Sequence, residues 1–91
     1  MKHATPRALK QLAPLLDQLR RDLADVTERK PGTFYRRSQA LLHFHEDPAG
    51  LFADLKIAGA WQRFPVNHPA ETATFIAAWR RLLASLAKAG Q

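Results

Sequence analysis

Closely set turn signals in the middle of the chain restrict its fold more than any other feature. From Thr33 to Val66 the residues are β-branched, aromatic or alternating in polarity, and they are interrupted at Arg37-Ser38-Gln39, Asp47-Pro48-Ala49-Gly50 and Ala58-Gly59. Such a pattern predicts a meander of three or four short antiparallel strands. Register within it decides which side chains share a face, because a slip of one residue turns every side chain over. Two signals conflict. Hydrophobic alternation places Ala40, Leu42 and Phe44 on one face with Leu51, Ala53, Leu55 and Ile57, and a two-residue turn at Ala58-Gly59 adds Ala60, Gln62, Phe64 and Val66. Turn chemistry instead favours a type I turn at Asp47-Pro48-Ala49-Gly50 with a bulge at Gly50, which pairs His43 and His45 with the Leu51 face. Burying two imidazoles among leucines costs more than adjusting a loop, so alternation takes precedence.

The flanking segments carry a helical period. Thr5 suits an N-cap and Pro6 the first helical position, where a missing N–H costs nothing. Leu9, Leu12, Leu16, Leu19, Leu23 and Val26 follow at three- and four-residue steps, which predicts one helix over about residues 6–29, kinked near Pro14. A break into two helices at Pro14 is the alternative. Lys30-Pro31-Gly32 ends this segment. Asn67-His68-Pro69 opens a second helix over about residues 69–88, with Glu71 in its first turn, Phe75, Ile76, Trp79, Leu82, Leu83 and Leu86 as its stripe, and Gly90 to close it. The expected fold class is therefore α+β: an antiparallel three- or four-stranded meander flanked by an N-terminal and a C-terminal helix. No repeat or linker interrupts residues 1–91, so a single domain is expected.

Composition narrows the chemistry. The 91 residues include no cysteine, which excludes disulfide scaffolds, cysteine zinc sites, iron–sulfur clusters and thiol catalysis. A chain of this length buries one modest core and has little room for a deep cleft. No apolar run approaches the ~20 residues of a membrane span, and Met1-Lys-His-Ala-Thr-Pro-Arg lacks the apolar stretch of a signal peptide, so a cytoplasmic location is expected. Fourteen Lys and Arg against eight Asp and Glu give a net charge of +6, which favours polyanions over membranes as partners.

On the alternation register the face opposite the apolar one carries Phe34, Arg36, Leu41, His43, His45, Phe52, Asp54, Lys56, Trp61 and Arg63. Asp54 falls across from Arg63, an ion pair, and Lys56 across from Trp61, a cation–π contact. This face is too apolar for bare solvent and too charged for a dry core, so it calls for a helix, a subunit or a ligand to cover it. The candidate binding residues are Arg36, His43, His45, Phe52, Asp54, Lys56, Trp61 and Arg63. His43-Phe44-His45 projects two imidazoles from one side of a strand, about 6.5 to 7 Å apart, a spacing that can chelate one ion. Asp54, Glu46 and Asp47 are the carboxylates near enough to join, but no fourth ligand is identifiable. The residues call for no cofactor, and His43, His45 and Asp54 are only candidate metal ligands. No nucleophile motif, glycine-rich phosphate loop or useful carboxylate pair occurs, so no catalytic residue is assigned and an enzyme is not expected. Arg20 and Arg21, beside Asp17, Asp22 and Asp25, read as solvated pairs on the first helix.

The stretch from Pro31 to Val66, with Pro-Gly-Thr-Phe-Tyr-Arg-Arg, Leu-Leu-His-Phe-His-Glu-Asp-Pro-Ala-Gly-Leu-Phe-Ala-Asp-Leu-Lys and Arg-Phe-Pro-Val, resembles small uncharacterised bacterial proteins; that likeness implies no activity. The helix followed by Thr33-Phe-Tyr-Arg-Arg-Ser-Gln-Ala-Leu-Leu is similar to the opening of MmcQ/YjbR-like proteins. This likeness implies a fold related to DNA-binding modules. The leading expectation is a small non-enzymatic binding or protein-interaction module, with pairing into a homodimer as one way to cover the second sheet face. The alternative is a nucleic-acid-binding protein using the mixed aromatic and basic face, and the third reading is a His-x-His metal-binding protein.

Overall fold

A computed structural model of the chain describes residues 2–22 and 25–89. In chain order the elements are β1 (Lys2–His3), α1 (Pro6–Gln11), α2 (Ala13–Arg21), β2 (Thr27–Lys30), β3 (Thr33–Arg36), β4 (Gln39–Asp47), β5 (Gly50–Ile57), β6 (Ala60–Pro65) and α3 (Pro69–Ala89). Strands β2 to β6 form an antiparallel meander in sequence order, and β1 adds to β4 beyond the reach of β3. The helix–meander–helix order expected from the sequence holds, with one more strand in the meander and another at the N-terminus. No helix among the described residues is long and apolar enough to cross a membrane.

The alternation register is the one observed. Leu42 pairs with Leu55, Phe44 with Ala53 and Asp47 with Gly50, while Leu55 and Ala53 pair in turn with Gln62 and Phe64. The Asp47–Gly50 loop therefore has two residues between paired ends, and the Asp47 carboxylate accepts a hydrogen bond from the Ala49 N–H at 2.9 Å. The apolar face meets the helices. Phe34 packs edge-on against Trp79 at 5.8 Å between ring centroids, and Phe75 of α3 meets both Phe44 and Phe64. Leu15, Leu16 and Leu19 of α2 complete one core with these rings and with Leu42 and Leu55.

Three expectations need correction. First, residues 6–29 are not one helix. The chain breaks at Leu12, which caps α1 and opens α2, so Pro14 falls in the first turn of α2, where its lack of an N–H is harmless. Helix α2 ends at Arg21, and Thr27–Lys30 is an edge strand; Leu23, and Gly90 at the expected end of the last helix, lie outside the described residues. Second, Phe34 does not lie on the second sheet face: it is fully buried in the core, and Tyr35 points outward in its place. Arg36 follows Phe34 to the helix side, where it reaches Asp25 at 3.4 Å and lines a cleft with Leu83 and Leu86. Third, the β3–β4 ladder shifts register between Phe34 and Tyr35, which pair with Leu42 and Ala40. The extra residue, Leu41, joins the core instead of the outer face. A bulge of this kind breaks strict alternation.

Candidate metal centre

The sheet face turned away from the helices carries His43 and His45 on β4, Phe52, Asp54 and Lys56 on β5, and Trp61 and Arg63 on β6. Cross-strand pairing sets His43 beside Asp54, and Asp54 beside Arg63. Trp61, 48% exposed, is the most open large apolar side chain described, so this face is not covered by the chain's own helices. Of the residues expected here, only Phe34, Arg36 and Leu41 are elsewhere.

Asp54 and Arg63 form the anchor of the site. The guanidinium donates two hydrogen bonds, Nε to Oδ1 at 2.7 Å and a terminal nitrogen to Oδ2 at 2.8 Å. These bonds hold the Asp54 carboxyl below the usual carboxylate range. His45 Nδ1 lies 2.9 Å from Asp54 Oδ2. The contact is bent, and by directional criteria Nδ1 has no hydrogen bond, so this is an orienting contact more than a bond. Asp54 is thus engaged on both oxygens and is not free to act as a direct metal ligand. Glu46 accepts the Thr5 N–H at 2.6 Å and Asp47 caps Ala49, so neither expected loop carboxylate turns toward the histidines.

Their third neighbour is another histidine. Strand β1 pairs Lys2 with Glu46 and His3 with His45, and the Ala4 N–H extends the pairing to the Phe44 carbonyl at 3.0 Å. Thr5 then caps α1 while its own N–H is held by Glu46, so the turn from strand into helix is fixed at both ends. This fastening brings the His3 ring to 4.8 Å from His45 and 5.4 Å from His43, centroid to centroid. One ring nitrogen from each of the three lies within 4.8 Å of the other two. His43 and His45 stack nearly parallel at 6.2 Å, and Trp61 meets His43 edge-on at 5.3 Å. Burial chiefly, with the neighbouring imidazoles adding to it, pushes the His43 pKa down, and burial also lowers that of His45 despite Asp54. Both rings are therefore neutral near pH 7, the form in which imidazole offers a lone pair. The Nε2 atom of His43 is buried without a partner.

The His-x-His spacing was visible in the sequence, but His3 was not singled out. Its only signal is a histidine two residues from the start of the chain, in a segment too short to show strand periodicity. The remaining cations and rings form pairs: Lys56 lies over Trp61 at 5.7 Å, Arg63 over Phe52 at 6.0 Å, and Arg29 of β2 over Tyr35 at 4.3 Å. No family model, curated protein or solved structure matches this chain, so the geometry alone carries the functional reading.

Proposed function

We propose that this chain is a small binding module whose open sheet face holds one divalent transition-metal ion through His3, His43 and His45. The observation that carries this reading is the convergence of three imidazoles from two strands, each offering a ring nitrogen within 4.8 Å of the others, while the Nε2 of His43 is buried and unpaired. Three imidazole ligands suit zinc, nickel or copper(II) and disfavour calcium and magnesium. Ligand nitrogens about 2.1 Å from a tetrahedral ion stand roughly 3.4 Å apart, so closing the cluster asks each ring to move by about 1 Å. Asp54, held by Arg63, lies 2.9 Å from His45 Nδ1, where it can orient that ring as the outer carboxylate partners of metal-bound histidines do.

Thermal unfolding with added zinc tests the proposal. An ion at 100 times its dissociation constant adds about 2.7 kcal/mol, or roughly 10–20 °C in Tm for a domain of this size. We expect this rise to grow with the logarithm of zinc concentration and to vanish in His3→Ala and His45→Ala. A chain unmoved by zinc, nickel and copper, or a shift that survives loss of His3, would refute it.

A second reading, single-stranded nucleic acid on the same face, is favoured by the exposure of Trp61 beside Lys56. Bases stack on such rings for about 1–3 kcal/mol each, whereas phosphate contacts fade steeply with salt. If this reading holds, Trp61→Ala weakens binding at least tenfold with an unchanged salt slope. Affinity indifferent to Trp61 and lost near physiological salt is generic polycation binding and removes the second reading.

A further inference from the structure

Beside the histidine cluster lies a cleft of about 550 Å³ whose lining includes His3, His43, Arg29, Lys30, Thr33 and Tyr35. The nearest carboxylate of the site, Asp54, is engaged by Arg63 and His45, and none contributes to the cleft wall. Arg29 spans the outer wall: one terminal nitrogen donates to the Arg37 carbonyl at 3.0 Å and its plane covers Tyr35 at 4.3 Å. Neither Arg29 nor Lys30 is paired with a carboxylate among the described residues. The lining therefore brings two cations without a carboxylate partner, a threonine, a tyrosine and two histidines around one space.

We infer that this cleft is an anion subsite, and that a phosphate group, free or ending a small organic molecule, binds between Arg29, Lys30 and an ion held by the three histidines. The inference rests on the metal reading and goes beyond it by naming what fills the ion's remaining coordination. Three protein ligands leave a tetrahedral ion one open position. The cleft adjoins His3 and His43, and the side chains lining it carry positive charge before any ion is added. A phosphate has oxygens enough to touch the ion, the guanidinium and the ammonium at once, where a carboxylate has only two. The volume also exceeds what one phosphate fills and lies in the ordinary range for small-molecule sites.

The experiment uses the full chain loaded with cobalt(II), whose visible spectrum reports changes in its coordination. Titrating inorganic phosphate is expected to change that spectrum. By calorimetry, phosphate should bind at least tenfold more tightly to the cobalt-loaded chain than to the metal-free one. Arg29→Gln and Lys30→Gln, both at exposed positions, should each weaken phosphate at least fivefold while leaving cobalt affinity within twofold. Phenyl phosphate should bind more tightly than the free ion, as the size of the cleft requires. Acetate equal to phosphate, a spectrum indifferent to phosphate, or affinity indifferent to both substitutions overturns the subsite and leaves the metal reading standing. A chain that takes up neither cobalt nor zinc overturns both.

Discussion

Ala58 sits at φ 52° in the β5–β6 turn, next to Gly59 at φ 80°. A two-residue hairpin with both residues in the left-handed region suits Asn-Gly, and an alanine there carries about 1–2 kcal/mol of steric cost. Ala58→Asn should therefore raise stability by about 1 kcal/mol, read as an increase in Tm; no change would mean that the turn relaxes to another form. The same reasoning at Arg37, φ 59°, explains how a two-residue β3–β4 loop is closed without glycine. At the site, residue identity separates roles that the sequence ran together. Asp54 and His43 face each other across the ladder, as expected, yet Asp54 serves His45 and Arg63 through its two oxygens.

At the scale of elements, the smallest one positions the most consequential residue. Strand β1 has two residues, and Glu46 secures its exit by accepting the Thr5 N–H. Glu46→Gln keeps the side chain but weakens that acceptor. Zinc affinity is expected to fall by roughly tenfold with all three histidines in place, as for other supporting contacts around metals; unchanged affinity would show that β1 holds itself. The meander from β4 to β6 with its register, and with it the Asp54–Arg63 pair and the Lys56–Trp61 contact, was legible, as was the last helix, because these strands alternate regularly between clear turns and the helix has a continuous apolar stripe; the β3–β4 register was not, because its bulge breaks the alternation. Strand β2 was not. Thr27, Glu28, Arg29 and Lys30 form a charged edge with no apolar alternation, held by the Arg20–Glu28 hydrogen bonds at 2.7 and 2.9 Å. Charges of this kind guard a sheet edge against further pairing. The leucine spacing continues to Val26, which is buried outside any helix, so the three-and-four rhythm outlasts the helix that it suggests. His3 was illegible for a third reason: its place depends on pairing with a strand some forty residues away.

For the whole molecule, the half-buried His43 and His45 set the response to acid. Their folded pKa values lie below the unfolded value near 6.5, so the unfolded chain takes up protons first. The stability they contribute is full above that value and is lost as pH falls through it toward the lowered pKa values. Asp54, also lowered, adds a loss in the same direction only below about pH 3.9. Tm without metal should be level from pH 8 to 7 and decline as pH falls below about 6.5, and His43→Gln should flatten that decline. A decline that keeps its slope in His43→Gln would place the pH response elsewhere.

The pairing of β1 with β4 also bears on the topology of the unfolded chain. An ion shared by His3, His43 and His45 would be a reversible crosslink closing a loop of about forty residues, a loop that contains both N-terminal helices and the first hairpin. By the chain-entropy scale for covalent bridges, a loop of that length is worth about 4 kcal/mol. Metal occupancy would then govern how freely about two-fifths of the chain can detach, and its clearest signature would be slowed amide exchange in α1 and α2, on the far side of the sheet from the ion.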